Sequence, residues 1–220
     1  MVTQIKYRTE IHAIGPWKLK LKRVQNLDDL IEAISDEEFN KDERLPYWAE
    51  LWPSALGLSN FLLQHPELIG NQTVLELGVG LGLTSLVLRK LNPARLLLTD
   101  YEQSALDLTR DNFLLNKMPL PAMQLLDWRN PDLSERFTRI VASDILYEER
   151  FFVPLFNLFN QYLQPGGKII IAEPNRAVAR TFFEQLSVRG FQWQNSTVLV
   201  PEKPGPIRVS NYIIAKKENA

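Results

Sequence analysis

"VLELGVGLGL", residues Val74–Leu83, sets three glycines at alternate positions, Gly78, Gly80 and Gly82, where a strand-like run gives way to a helix-like one. A chain that passes from a buried strand straight into a helix must turn sharply. Glycine permits the positive φ of such a turn, and its missing side chain lets a ligand touch the backbone. The helix N-terminus behind the turn adds unpaired N–H groups. The stretch therefore predicts a nucleotide-type site at the carboxyl edge of an open α/β sheet.

Outward from it, strand-like and helix-like runs alternate. "TVLEL" reads as a strand, and "LTSLVLRKL" as a helix with Leu83, Leu86, Val87 and Leu91 on one face. "RLLLTD" is a second strand, followed by the amphipathic helix "EQSALDLTRDNFLLN", whose core positions are Ala105, Leu108, Phe113 and Leu115. "MQLLDW" and "RIVASD" read as strands three and four. "FFVPLFNLFNQYL" is an apolar helix stopped by the turn Pro165-Gly166-Gly167, "KIIIAEP" a fifth strand, and Ala177 to Val188 a further helix. "FQWQNSTVLV" and "IRVSNYIIAKK", joined by "PEKPGP", form a hairpin. Such alternation predicts a Rossmann-like, doubly wound, mostly parallel seven-stranded sheet with helices on both faces and an antiparallel strand at its tail.

Two domains are expected. Residues 45–220 form the sheet domain, entered through the helix "SALGLSNFLLQH" that Pro53 starts. Residues 1–44 form an appendage: the half-exposed strand "WKLKLKRV", with Lys18, Lys20, Lys22 and Arg23 on its wet face, and the acidic helix "NLDDLIEAISDEEF" capped by Asn26. With 45% hydrophobic and 23% charged residues among 220, the composition is that of an ordinary globular chain. The net charge of −1 gives no field toward nucleic acid or anionic lipid. The chain has no cysteine, which excludes disulfides, thiolate zinc and a thiol nucleophile, and its two histidines, His12 and His65, are too far apart to suggest a metal site. No apolar run reaches membrane-span length, and "MVTQIKYRTE" has no signal-peptide core, so a cytoplasmic protein is expected.

The glycine spacing narrows the ligand. A dinucleotide fold calls for G-x-G-x-x-G, whereas the spacing here is G-x-G-x-G behind an acid, Glu76. A carboxylate facing the loop repels pyrophosphate and accepts hydrogen bonds from an ammonium group. Asp100, ending the second strand, stands where an acid binds ribose hydroxyls. Asp127 and Trp128 end the third, where a carboxylate meets an adenine amino group and an indole packs on the ring. A ligand with a nucleoside at one end and an amino acid at the other is S-adenosylmethionine.

"LELGVGLGL", "LLLTDYEQSALDLTRDNFLLN", "LDW" and "IVASDILYEE" resemble the successive motifs of the seven-strand S-adenosylmethionine-dependent methyltransferases. More narrowly, "PYWAELWPSALGLSNFL" and the acid-x-x-aromatic run Asp144-Ile145-Leu146-Tyr147 resemble the branch that methylates lysines of chaperones, elongation factors and the electron-transfer flavoprotein beta subunit. The resemblance covers roughly residues 45–217. It implies cofactor contacts from Glu76, the three glycines, Asp100, Asp127, Trp128, Trp52 and Ser143. It also implies that Asp144 holds a lysine ammonium and that Tyr147, one helical turn on, offers a hydrogen bond or an aromatic face. The expected partner is a lysine-bearing protein substrate.

Each residue also has a plainer reading. Asp100 and Asp144 can cap helices, and Trp128, Trp48 and Trp52 can cover core. A small-molecule methyltransferase, with residues 1–44 as a lid, is an alternative function. So is a non-catalytic cofactor-binding scaffold. A base-modifying enzyme is disfavoured, because Asp-Ile-Leu-Tyr lacks the prolines of the N/D-P-P-Y/F signature. A nicotinamide-dependent dehydrogenase is disfavoured by the glycine spacing and Glu76.

Overall fold

The computed structural model describes residues 5–32 and 45–217. Its centre is a seven-stranded sheet built from β3 (Thr73–Leu77), β4 (Arg95–Asp100), β5 (Ala122–Leu125), β6 (Phe137–Ser143), β7 (Leu163–Glu173), β8 (Phe191–Val200) and β9 (Ile207–Lys216). The order is β5-β4-β3-β6-β7-β9-β8, with β9 antiparallel to both neighbours and all other pairs parallel. The hairpin expected at the tail is present, and its returning strand enters the sheet between β7 and β8 instead of adding to the edge. The turn expected at Pro165–Gly167 is absorbed into β7 as an irregularity in its register with β6.

The strands bury both faces, as continuous apolar runs in a parallel sheet must. Leu75, Leu77, Ile140, Ala142, Ile169 and Ile171 point to the side covered by α5 (Phe152–Tyr162) and α6 (Ala177–Val188). Val74, Leu96, Leu98, Val141 and Ile170 point to the side covered by α2 (Pro53–Gln64), α3 (Leu83–Lys90) and α4 (Gln103–Leu115). Pro53 starts α2 as expected, and α2 packs Leu58 and Leu62 into the core that also holds Val209 of β9. Ala105, Leu108 and Phe113 of α4 are buried, while Leu115 is only half-buried and Leu106 takes its place in the core. Strand order reverses between β3 and β6, so their carboxyl ends open a crevice.

Ahead of the sheet lies a two-stranded hairpin, β1 (Tyr7–Ile14) and β2 (Trp17–Val24), turning at Gly15-Pro16. Only β2 had been expected as a strand. Ile14, Leu19 and Leu21 are buried in the α2–α3–α4 core. The outer edge of β2 is satisfied by side-chain amides of α4. Asn116 accepts from Lys20 N and donates to Lys20 O (2.9 and 2.6 Å), and Asn112 accepts from Lys22 N and donates to Lys22 O. Lys18 and Lys20 lie on the wet face as expected, but Lys22 pairs with Asp111 and Arg23 is largely buried between Glu10 and Glu50. Of the expected acidic helix, α1 (Leu27–Ile31) is present, with Asn26 accepting from Asp28 N at 3.2 Å. Its remainder and the expected domain boundary at 44 fall outside the described residues. Among the described residues no helix is long and apolar enough to cross a membrane.

Asn112 is fully buried and also donates to Leu81 O of the glycine loop at 2.9 Å, so one amide joins hairpin, helix and loop. Asn112→Leu leaves an N–H and two carbonyls without their partner. It should cost about 2–3 kcal/mol, the penalty of unsatisfied buried polar groups, seen as a lower urea midpoint with an unchanged m-value.

Candidate active site

The glycine loop rests on the end of β4. Gly78 N and Val79 N both donate to Thr99 O, at 2.9 and 3.2 Å. Gly80 N donates to Asp100 Oδ2 at 3.0 Å, and Glu102 N donates to Asp100 Oδ1 at 2.9 Å. Gly78 has φ +69, and a Cβ there would lie 3.3 Å from Ile145 and 3.7 Å from Trp128, across the floor of a cavity of about 630 Å³. That volume suits a cofactor-sized ligand. At Gly80 an added Cβ would instead meet the carbonyl of Trp48 at 3.3 Å, so this glycine admits the wall segment 45–52 as well as bordering the cavity. Gly82 begins α3 and faces Thr109 of α4; the cavity lining does not include it.

Asp100, 7% exposed, lines the cavity, and burial lifts its pKa to about 6 against the pull of its backbone N–H donors. It does not cap α4, whose N-cap is Glu102. Glu76 is elsewhere. Strand alternation puts it on the same face as Val74, beneath α3, and it does not reach the cavity. Burial raises its pKa to about 8, with Ser85 partly countering and Asp100 adding to the rise. Its Oε2 is buried with no hydrogen-bond partner among the described residues.

Trp128 lies in the lining, edge-to-face with Phe151 at 5.6 Å, and its buried Nε1 has no hydrogen-bond partner among the described residues. Asp127 also lines the cavity, but its carboxylate is engaged by Arg129, which in turn donates to the Tyr101 hydroxyl at 2.6 Å. Ser143, at the end of β6, completes this end.

The other end is aromatic around one acid. Asp144 leaves β6 with φ +60, its N–H on Ala172 O, and is 8% exposed. Arg176 donates to its Oδ1, and its Oδ2 is buried without a partner among the described residues. It caps no helix, and the residues from Asp144 to Glu148 form a loop, so Tyr147 does not follow by a helical turn. The loop nonetheless brings Tyr147 into the lining, 5.8 Å from the Tyr47 ring and 5.9 Å from Phe151. Burial and neighbouring negative charge push the Tyr147 hydroxyl pKa above its ordinary value. Trp52 joins the wall: its Nε1 donates to Tyr47 O at 2.9 Å, and the Arg176 guanidinium lies 5.7 Å over its ring. Trp48 packs on the small core of Val24, Leu30 and Ala49, as its plainer reading expects, and lines the cavity as well.

Sequence reasoning missed Tyr47, Phe151, Arg129 and Arg176. The first sits in the aromatic run "PYWAELW" and was within reach. Arg176 carried no signal, because it follows a different strand, 32 residues from the acid it meets. The groups present fit the expected S-adenosylmethionine: an open backbone at Gly78, a carboxylate with acceptor capacity at Asp100, and an orphaned indole N–H at Trp128.

Comparison with known proteins follows the same lines. A lysine methyltransferase family model matches residues 38–189. The electron transfer flavoprotein beta subunit lysine methyltransferase of Rattus norvegicus is 30% identical over 135 residues, which cover 60% of this chain and 51% of that protein. A histidine protein methyltransferase 1 homolog of Dictyostelium discoideum is 30% identical over 129 residues, 56% of this chain and 41% of that one. The chain thus spans about half the length, or less, of these curated relatives. A solved ribosomal protein L11 methylase from Lactobacillus delbrueckii subsp. bulgaricus shares the fold, with a TM-score of 0.59 and 21% identity over 74% of this chain and 80% of that one. A family model that runs from before the aromatic wall through the glycine loop, Asp144 and Arg176 takes in nearly all of the site just described, and by that match this chain belongs to the lysine methyltransferase family.

Proposed function

We propose that this chain methylates the side-chain nitrogen of a lysine in a protein substrate, with S-adenosylmethionine as methyl donor. One observation carries the reading. A buried carboxylate with an unpartnered oxygen, Asp144, stands among the rings of Tyr47, Trp52 and Tyr147 at one end of a cavity whose other end is Gly78, Asp100 and Trp128. Carboxylate and aromatic faces are the groups that recognise an amine. Family membership agrees. Tyr47 and Tyr147 are 42% and 36% exposed while lining the cavity, so its mouth is open and ringed, as entry of a side chain from a protein surface requires.

When bound, the cofactor supplies a sulfonium-activated methyl group. The residues of this chain supply position. Asp100 would take the ribose hydroxyls, Trp128 and Ile145 would flank the base, and the Gly78 backbone would lie against the ligand. Asp144 and the ring wall would orient the incoming nitrogen, a proximity effect worth several kcal/mol. A lysine titrates near ~10.4 and must shed a proton to react, and the open mouth gives that proton a path to water.

Two outcomes are expected. Because burial holds Asp100 at about 6 and its ionised form is the better acceptor for hydroxyls, affinity for S-adenosylhomocysteine should rise with pH from 5 to 7. Asp100→Asn should flatten that rise and weaken binding at pH 7.5 by roughly 1.5–3 kcal/mol; a parallel calorimetric profile in the variant would move the ribose contact elsewhere. For the acceptor, labelled methyl transfer into a cell extract, followed by mass spectrometry, identifies the substrate and the modified residue. On that substrate Asp144→Asn should lower kcat/KM by ~10–1000-fold while cofactor affinity stays within about threefold. Wild-type turnover by Asp144→Asn would leave a methyltransferase whose acceptor end lies elsewhere.

A further inference from the structure

Arg176 presents a difficulty for a lysine-binding site. Its guanidinium donates to Asp144 Oδ1 and lies over Trp52, so a cation already occupies two of the groups that would greet the substrate's ammonium. The pair is fixed from both sides. Asp144 is held by Ala172 O through its own N–H, and Arg176 by the buried Glu173, whose Oε2 accepts from Arg176 N at 3.0 Å. The Asp144 side chain is 5% exposed and that of Arg176 29%, so solvent screens their contact only in part. Asp144 Oδ2 remains buried and without a partner among the described residues.

We propose that Arg176 is a positioning residue that keeps Asp144 charge-balanced through Oδ1, so that Oδ2 takes an N–H of the acceptor amine in its neutral form. This rests on the lysine reading of the site. Methyl transfer uses the nitrogen lone pair, so an ammonium must first give its proton to solvent water. A lone Asp144 carboxylate would oppose that loss, because an opposite charge in contact favours the charged amine. The guanidinium removes that opposition and disfavours a second cation beside it, the device by which a neighbouring cation lowers a lysine's pKa elsewhere. Asp144 then acts as an orienting hydrogen-bond acceptor and does not trap the substrate protonated.

The other ionisable groups around the cavity do not supply the same balance. On the wall segment Glu50 is paired with Arg23, and on the loop after β6 Glu148 is paired with Arg150. Asp127 is paired with Arg129, and Glu173 is bonded to the backbone of Arg176. Asp100 and Glu102 sit at the nucleoside end, with Asp100 bonded to the N–H groups of Gly80 and Glu102. Tyr147 keeps its proton through the alkaline range, since burial raises its pKa.

The test uses the whole chain and n-butylamine as an acceptor probe, with S-adenosylhomocysteine present and binding followed by tryptophan fluorescence. In the wild type, affinity should track the neutral amine and rise at least about tenfold between pH 8 and pH 10. In Arg176→Gln, affinity should be flat over that range, because the uncompensated carboxylate now binds the ammonium. Arg176→Lys keeps the positive charge and should follow the wild type to about pH 9, which separates charge from mere packing. On the substrate recovered by labelling, the acidic limb of kcat should move up by about one pH unit or more in Arg176→Gln. Coincident profiles in wild type and Arg176→Gln overturn the proposal, as does an equal gain in affinity at every pH, which marks Arg176 as a simple occupant of the site. Absence of amine binding to either protein overturns it as well. The lysine reading is decided separately by hydrolysis of the labelled product, where absence of methyl-lysine sinks it whatever the amine profiles show.

Discussion

The two oxygens of Asp100 hold the site together. One accepts from Gly80 in the loop after β3, the other from Glu102 at the start of α4, so a single carboxylate ties the first crossover to the second. A backbone with so many positive φ values has little conformational preference of its own, and a buried charge-assisted bond supplies what the sequence of glycines cannot. Thr109 repeats the tie from α4, donating to Gly80 O at 3.0 Å, and Asn112 adds a third bond at Leu81 O. The loop is thus shaped by bonds to β4 and α4 within the chain itself, the kind of internal support a cofactor site needs.

The parts of this architecture that sequence conveys are those encoded locally. Apolar runs, the helix periods and the glycines each announce an element within a few residues, and so the parallel sheet, its helices and the C-terminal hairpin were legible. So were the residues at or just beyond the strand ends, because in a parallel sheet the carboxyl ends converge: Asp100 and Ser143 end β4 and β6, Asp144 follows β6, Trp128 stands in the turn after β5 although it was expected to end that strand, and all reach one cavity. What strand logic does not convey is which face a side chain takes once the strand has ended, or what it meets there. Glu76 is a separate case, since it lies inside β3, one residue short of its end, where alternation alone sets it beside Val74 and beneath α3. Gly80 opens toward the Trp48 backbone, which no spacing within the loop could indicate. β1 escaped notice because its outward side chains are mostly exposed and its pattern is weak.

The Asp144 end of the cavity shows the same limit more sharply. Asp144 and Tyr147 were legible as a short motif, but the motif suggested a helix and the chain provides a loop. Tyr47 and Arg176 come from segments on either side of it and meet only in three dimensions. A carboxylate read alone looks like a cation trap, and the same carboxylate beside a guanidinium is a neutral pair with one acceptor to spare. The chemistry of the site changes with a neighbour that the motif does not contain.

The placement of β9 bears on the order in which the molecule can be completed during synthesis. β7 and β8 are made earlier, yet neither touches the other in the finished sheet; both wait for the strand that comes off the ribosome after them. α2 waits as well, since it rests partly on β9, and α2 begins immediately after Trp52 in the cavity wall. A nascent chain that has already made the glycine loop and Asp144 therefore still lacks part of the seat of its aromatic wall. Until Ile207–Lys216 emerges and threads between its partners, α2 has α3 and β7 to rest on but not the strand that joins β7 to β8.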